Sequence, residues 1–279
     1  SYVLVEDWGE MWIVHGLSQL LAILFLRERW GNNIAQWRLL EETDAFLKLP
    51  LEILMRPLRL KEPGHAAEMY HVYVVKKSLL ILAMIERRVN ANKFRIVLKE
   101  LFAVPEIMYN TRTFLSKIAK VTEHVMDDIE TSWVQRGGYP SLSCGFSWNQ
   151  QRHYLEFAVK QDFSVSRFSG ILPVRVAEME GTFMHEIMFT DEKPYAWDDF
   201  PVHTRPPQKR KKRAKKGEAA AGEGGEAANE GADAGKDEAE AGGKEAGDGK
   251  DPNPIFHLRI DPEAQWIMKT TFYQPEEMW

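Results

Sequence analysis

The sequence predicts an α+β protein in two parts, a helical segment followed by a β segment, and three observations carry that prediction. Apolar residues recur at helical spacing over about the first 130 positions. At Gly137-Gly138-Tyr139-Pro140 the period changes from 3.6 to 2. A single compositionally biased block, with nothing to bury, then interrupts the β pattern. The corresponding boundaries are residues 1–135 for the helical part and 136–279 for the β part, with a disordered basic and acidic loop expected over 205–253.

Leu17, Leu20, Leu21 and Leu24 define the first helix, and Gly31-Asn32 supplies a stop. The apolar run from Gly16 to Leu26 is too short to span a membrane and predicts a buried helix. A second helix is expected from Ile34 to Leu47, ending before Pro50, and Pro57, Pro63 and Gly64 mark a loop. A long helix from about Ala67 to Arg88 follows. Shorter ones fit Lys93–Phe102, Thr113–Val121 and Glu123–Val134. Beyond the glycine pair, His153, Leu155, Phe157 and Val159 alternate with Tyr154, Glu156, Ala158 and Lys160, and Asn149-Gln150-Gln151 is the expected hairpin before them. Leu172, Val174 and Val176 form another strand. Glu180-Gly181 turns the chain into Thr182–Phe189, and strands resume at Ile255–Ile260 and Gln265–Phe272. Strands at this spacing predict a small antiparallel β-sandwich.

The 279 residues carry a formal charge of −5, but that value conceals two cancelling blocks. Gly217–Lys250 holds ten glycines, ten alanines and ten acids against three lysines, a charge of −7. Without aromatic or branched aliphatic side chains it cannot offset the entropy of ordering, so it reads as disordered. Just before it, Lys209, Arg210, Lys211, Lys212, Arg213, Lys215 and Lys216 carry +7. The remainder is mildly acidic, which argues against a surface-wide basic field for nucleic acid. The basic run itself supports three readings: a nuclear import signal, a set of phosphate contacts, or a solubilising loop. It has no interleaved aromatics for stacking on single-stranded bases.

Catalytic motifs are sparse. His185-Glu186-Ile187-Met188-Phe189 begins like a zinc-hydrolase helix, but position i+4 is Phe189 and the segment alternates like a strand. His65 and His71 flank a helix start and read as capping or surface residues. Asp127, Asp128 and Glu130 read as a solvated acidic face. Cys144, the one cysteine, lies in a β-run and reads as a buried, inert thiol in a reducing compartment. No phosphate-binding glycine loop and no G-x-S-x-G serine is present.

Trp12-Ile13-Val14-His15-Gly16-Leu17-Ser18 resembles the Trp-x-Asn-Glu-Gly-Phe/Leu-Ala segment of aminopeptidase N-type zinc peptidases. Lys77-Ser78 through Ile85, with Phe94 and Leu98, resembles the helix pair beyond their active site. Trp133 and Gly138-Tyr139-Pro140 resemble the junction from the helical domain to a β-sandwich. The resemblance implies the helical C-terminal part of a thermolysin/aminopeptidase-like domain. It places His15 where those enzymes carry a glutamate as third zinc ligand, and Val75 where they carry a tyrosine. Imidazole can bind zinc, whereas valine offers no donor to an oxyanion. The enzymes' His-Glu-x-x-His helix would lie upstream of Ser1, so the chain reads as a piece of a longer protein.

The β segment resembles a non-enzymatic family, the TBP-associated factors that form subunit 2 of the general transcription factor TFIID. The resemblance rests on Leu155–Asp162, on Leu172–His185, on Leu258-Arg259-Ile260-Asp261-Pro262, and on the ending with Phe272, Gln274 and Met278-Trp279. It implies an aminopeptidase-like pseudoenzyme without cofactor or metal, located in the nucleus. The implied partners are other TFIID subunits (TBP-associated factors and TBP) and core-promoter DNA near the initiator, with no membrane or small-molecule substrate. The alternative is a zinc aminopeptidase in which His15 serves as an altered third ligand.

Overall fold

The computed structural model describes residues 3–60, 66–103, 107–149, 151–204 and 255–274. The expected loop 205–253, with its basic run, and His65 lie outside the described residues.

The chain opens with a short strand β1 (Leu4–Val5) and a tight turn, then helices α1 (Met11–Trp30) and α2 (Asn32–Leu47). Gly31 separates them at φ 94°, so it ends the first helix while Asn32 already begins the second. The single turns α3 (Leu51–Leu54) and α4 (Ala66–Met69) lead into α5 (Val72–Val89). The expected continuous helix from Ala67 to Arg88 is thus broken. His71 sits at ψ 140° and its ring accepts from the Tyr73 N–H, which starts a new helix there and bears out its capping role. Then follow α6 (Ala91–Ala103), β2 (Met108–Tyr109) and α7 (Thr111–Thr122), the last opened by a reciprocal Asn110/Thr113 capping box. The helix expected over Glu123–Val134 reduces to a π-helical turn, Ile129–Val134, because Glu123 takes a left-handed conformation at φ 61° and terminates α7.

Trp8–Trp30 as a whole is long and apolar enough to cross a membrane by length and composition, longer than its apolar run suggests. Its face of Trp12, Ile13, Gly16, Leu17, Leu20 and Ile23 is buried in the helical core, as expected of a core helix. A Cβ on Gly16 would lie 2.8 Å from both the Leu82 side chain and the Ser78 carbonyl, so glycine permits the close approach of α1 and α5. The opposite face of α1 and α2 exposes Phe25, Trp30 and Trp37.

Seven strands follow: β3 (Ser141–Asn149), β4 (Tyr154–Gln161), β5 (Gly170–Glu178), β6 (Gly181–Phe189), β7 (Tyr195–Pro201), β8 (Ile255–Ile260) and β9 (Lys269–Phe272). They form a four-stranded sheet of order β7-β4-β3-β9 and a three-stranded sheet of order β6-β5-β8. β4 alternates as expected, with Leu155, Phe157 and Val159 buried. Each such side chain contributes about 1.5–3 kcal/mol on burial. Two expectations need correction. The sheets are not purely antiparallel, since β3 pairs with β9 in parallel, a pairing made possible by the long path between them. Only Lys269–Phe272 of the expected Gln265–Phe272 strand pairs, because the Asp261 carboxylate accepts from the Gln265 and Trp266 N–H groups and holds that stretch in a turn. Cys144 is buried, and burial pushes its thiol up to about 12, as fits an inert residue.

The two parts share one core. Trp133 from the π-helical turn packs 4.7 Å from Phe168 and 6.0 Å from Trp266. A Cβ at Gly137 would lie 1.8 Å from the Met55 carbonyl oxygen, which makes that glycine obligatory at the junction. A cleft of about 650 Å³ lies between α2, α5 and the segment around Asp261–Met268.

Candidate functional site

The two positions singled out by the enzyme resemblance lie on the two packed helices α1 and α5. His15 on α1 and Val75 on α5 sit along the seam between the helices, both half-buried. The Gln19 side chain, one turn beyond His15, donates to the Val75 carbonyl at 3.0 Å. The His15 ring meets Tyr70 edge-on at 5.0 Å. Two residues past Val75 the chemistry changes. Lys77 is fully buried, its Nζ 3.1 Å from Tyr73 Oη and 3.3 Å from the Arg136 carbonyl. Burial brings its amine down to about 7, and burial raises the Tyr73 phenol well above its ordinary value. Tyr73 Oη donates in turn to the Arg56 carbonyl. This network ties α5 to the junction between the two parts.

Other buried charges of the helical part are closed by pairing. Arg27 grips the Glu86 carboxylate at 2.6 and 3.2 Å. Glu10 accepts from the Thr111 N–H and hydroxyl through one oxygen and meets Arg59 Nε at 2.7 Å through the other. Of the acidic group, Asp128 pairs with Arg88 at 2.8 Å and Glu130 accepts from Gln135. That face is partly engaged rather than simply solvated.

Among the described residues, one group of three potential metal ligands converges, and it lies in the β part: Glu178, His185 and His203. The strand expected around His185 is present, with Phe183, His185, Ile187 and Phe189 turned toward the interior. The ligand-bearing partners come from neighbouring strands rather than from i+4, a relation that linear spacing does not encode.

The architecture is a helical part joined to a β part, shared with a protein of known structure: Legionella pneumophila aminopeptidase A in complex with aspartic acid. It matches 73% of this chain and 23% of its own at TM-score 0.54 and 15% identity, which establishes the fold alone. Residues 137–275 match the family model described as the TAF2 Ig-like domain. Transcription initiation factor TFIID subunit 2 from Danio rerio is 22% identical over 98% of this chain and 24% of its own length. The proteins of that name from Caenorhabditis elegans (25% identical, 98% and 26%) and Drosophila melanogaster (20% identical, 100% and 25%) match similarly. The chain is therefore similar to TFIID subunit 2 along essentially its whole length, and the family model covers its β part. It spans about a quarter of the length of these relatives.

Proposed function

We propose that this chain is part of a non-catalytic scaffold subunit of a TFIID-type general transcription factor, acting in the nucleus with TBP, other TBP-associated factors and core-promoter DNA. The observation that carries the reading is similarity to TFIID subunit 2 along essentially the whole chain. The seam geometry supports it. If His15 stands at the third-ligand position and Val75 at the tyrosine position, the second cannot stabilise an oxyanion, and only its backbone carbonyl is engaged there. In this reading residues 1–135 form the aminopeptidase-like subdomain and 136–279 a β-sandwich interrupted at 205–253. The exposed aromatics Phe25, Trp30 and Trp37 suit protein docking. Lys209–Lys216 suits either import or phosphate contact, where each neutralised phosphate adds salt-dependent affinity without base readout.

The test is to isolate the full-length protein from nuclear extract and measure two things: co-purification with TBP, and hydrolysis of aminoacyl-arylamides with zinc added. The account expects stoichiometric TBP and no hydrolysis above a buffer control. Hydrolysis abolished by His15→Ala, without TBP, would instead establish the zinc aminopeptidase.

A further inference from the structure

We infer that Glu178, His185 and His203 form a binding site for a borderline divalent cation, with zinc the best match to the donor set. A ligand atom from each of the three lies within 4.8 Å of the other two. Zinc takes imidazole nitrogens and carboxylate oxygens at about 2.0–2.2 Å, and sites with three protein ligands keep a fourth position open. Ligand atoms around such an ion stand roughly 3.4 Å apart, so closing the group requires a shift of about 1 Å. Glu178 and His203 already meet at 3.5 Å, between Oε1 and Nδ1.

Each donor is fixed by its surroundings. β5 pairs with β8 through a register shift between Ala177 and Glu178, and both residues are buried. A bulge of this kind re-aims a side chain, and here it turns a carboxylate into the interior, where it is 0% exposed. Its Oε2 is saturated by the His203 N–H, the Thr204 N–H and the Thr204 hydroxyl at 2.8–3.0 Å. Its Oε1 is buried and receives no hydrogen bond; His203 stands at ion-pair distance but off hydrogen-bond alignment. His185 Nε2 is likewise buried without a hydrogen-bond partner. Two buried, unused lone pairs on neighbouring residues are costly unless something occupies the space between them.

The rings are held by reciprocal stacking. His185 lies on Phe200 at 4.6 Å and 10°, and His203 lies on Phe183 at 3.9 Å and 15°. Burial, and then the neighbouring His203, hold His185 below the ordinary imidazole value, which favours the neutral, ligating form at pH 7. The carboxylates of Glu178 and Asp198 act in the opposite sense and lend the site negative potential. His203 is 43% exposed and gives the ion a route in. An ion here would pin the end of β5, the middle of β6 and the backbone just after β7 to one another. The site is independent of the proposed role in transcription.

The test is calorimetric titration of the untagged, chelator-stripped chain with zinc chloride alone, and a parallel cobalt(II) titration followed by visible absorption. The expected result is one ion per chain, with cobalt bands of a low-coordinate, imidazole-containing site. His203→Gln changes a partly exposed ligand, so it preserves the fold and lowers affinity by at least about 100-fold. Glu178→Gln and His185→Phe do the same, and His124→Gln leaves binding unchanged. Equal zinc uptake by the parent and by folded His203→Gln, or no uptake by the parent, would overturn the assignment.

Discussion

The carboxylate of Glu86 in the helical part and that of Glu178 in the β part are both buried, yet they are satisfied differently. Glu86 is closed by one guanidinium that uses both of its oxygens. Glu178 is saturated on one oxygen and left open on the other, facing two imidazoles. The same contrast runs through the seam. Lys77 and Glu10 each meet several partners. Helix packing has used its buried charges to lock elements together, while in the β part three potential ligand atoms converge within 4.8 Å of one another. In a fold shared with an aminopeptidase, the one converging group of potential metal ligands among the described residues lies in the β part.

Substitutions can break or sharpen this contrast. The largest effect is expected from Trp133→Ala, which empties the aromatic cluster joining the two parts and costs about 3–5 kcal/mol in urea denaturation. A loss below about 1 kcal/mol would mean that the parts do not depend on a shared core. Next, Glu86→Gln removes a charge-assisted bidentate pair and costs about 1.5–3 kcal/mol. Glu178→Gln keeps an acceptor for the three donors and costs less in metal-free protein; if the two losses were equal, the distinction between closed and open carboxylates would fail.

Lys77 gives a pH signature. Its folded value, about 7, lies below the ordinary 10.5. Between these values the unfolded chain holds a proton that the folded one lacks, so stability rises as pH rises from about 7 toward 10.5. Below about 7 both states are protonated and the contribution is flat. Lys77→Met removes that slope, which thermal melts across the range would detect; an unchanged slope would place the amine in water. The smallest effect belongs to Arg88→Ala, where the partly exposed pair with Asp128 is worth about 0–1 kcal/mol.

The helices and most strands were legible because periodicity reports which face is buried, and α1, α2 and β4 follow it closely, whereas α5 is buried on all sides from Lys77 to Glu86. What the sequence concealed was set by tertiary pairing. β7, with the adjacent acids Asp198 and Asp199 both exposed and Pro201 at its end, lacks a strong strand signal and exists as an edge on β4. The parallel partnership of β3 and β9 joins residues separated by more than a hundred positions. The candidate site was partly visible. His185 stood out as half of a motif, and the alternation around it correctly denied a helix. Its companions, however, depend on a bulge at Glu178 and on His203 returning across the sheet edge. The seam positions His15 and Val75 were found through resemblance, and both carbonyls lie within reach of the Gln19 side chain. The basic run Lys209–Lys216 lies outside the described residues.

The most direct measurement is amide hydrogen exchange of the chelator-stripped chain with and without zinc. Zinc is expected to slow exchange at β5, β6 and the His203 and Thr204 amides, while α1 and α5 are unchanged. Protection centred on His15 and the α1–α5 seam would contradict the account and restore the enzyme-like site as the place where this molecule holds metal.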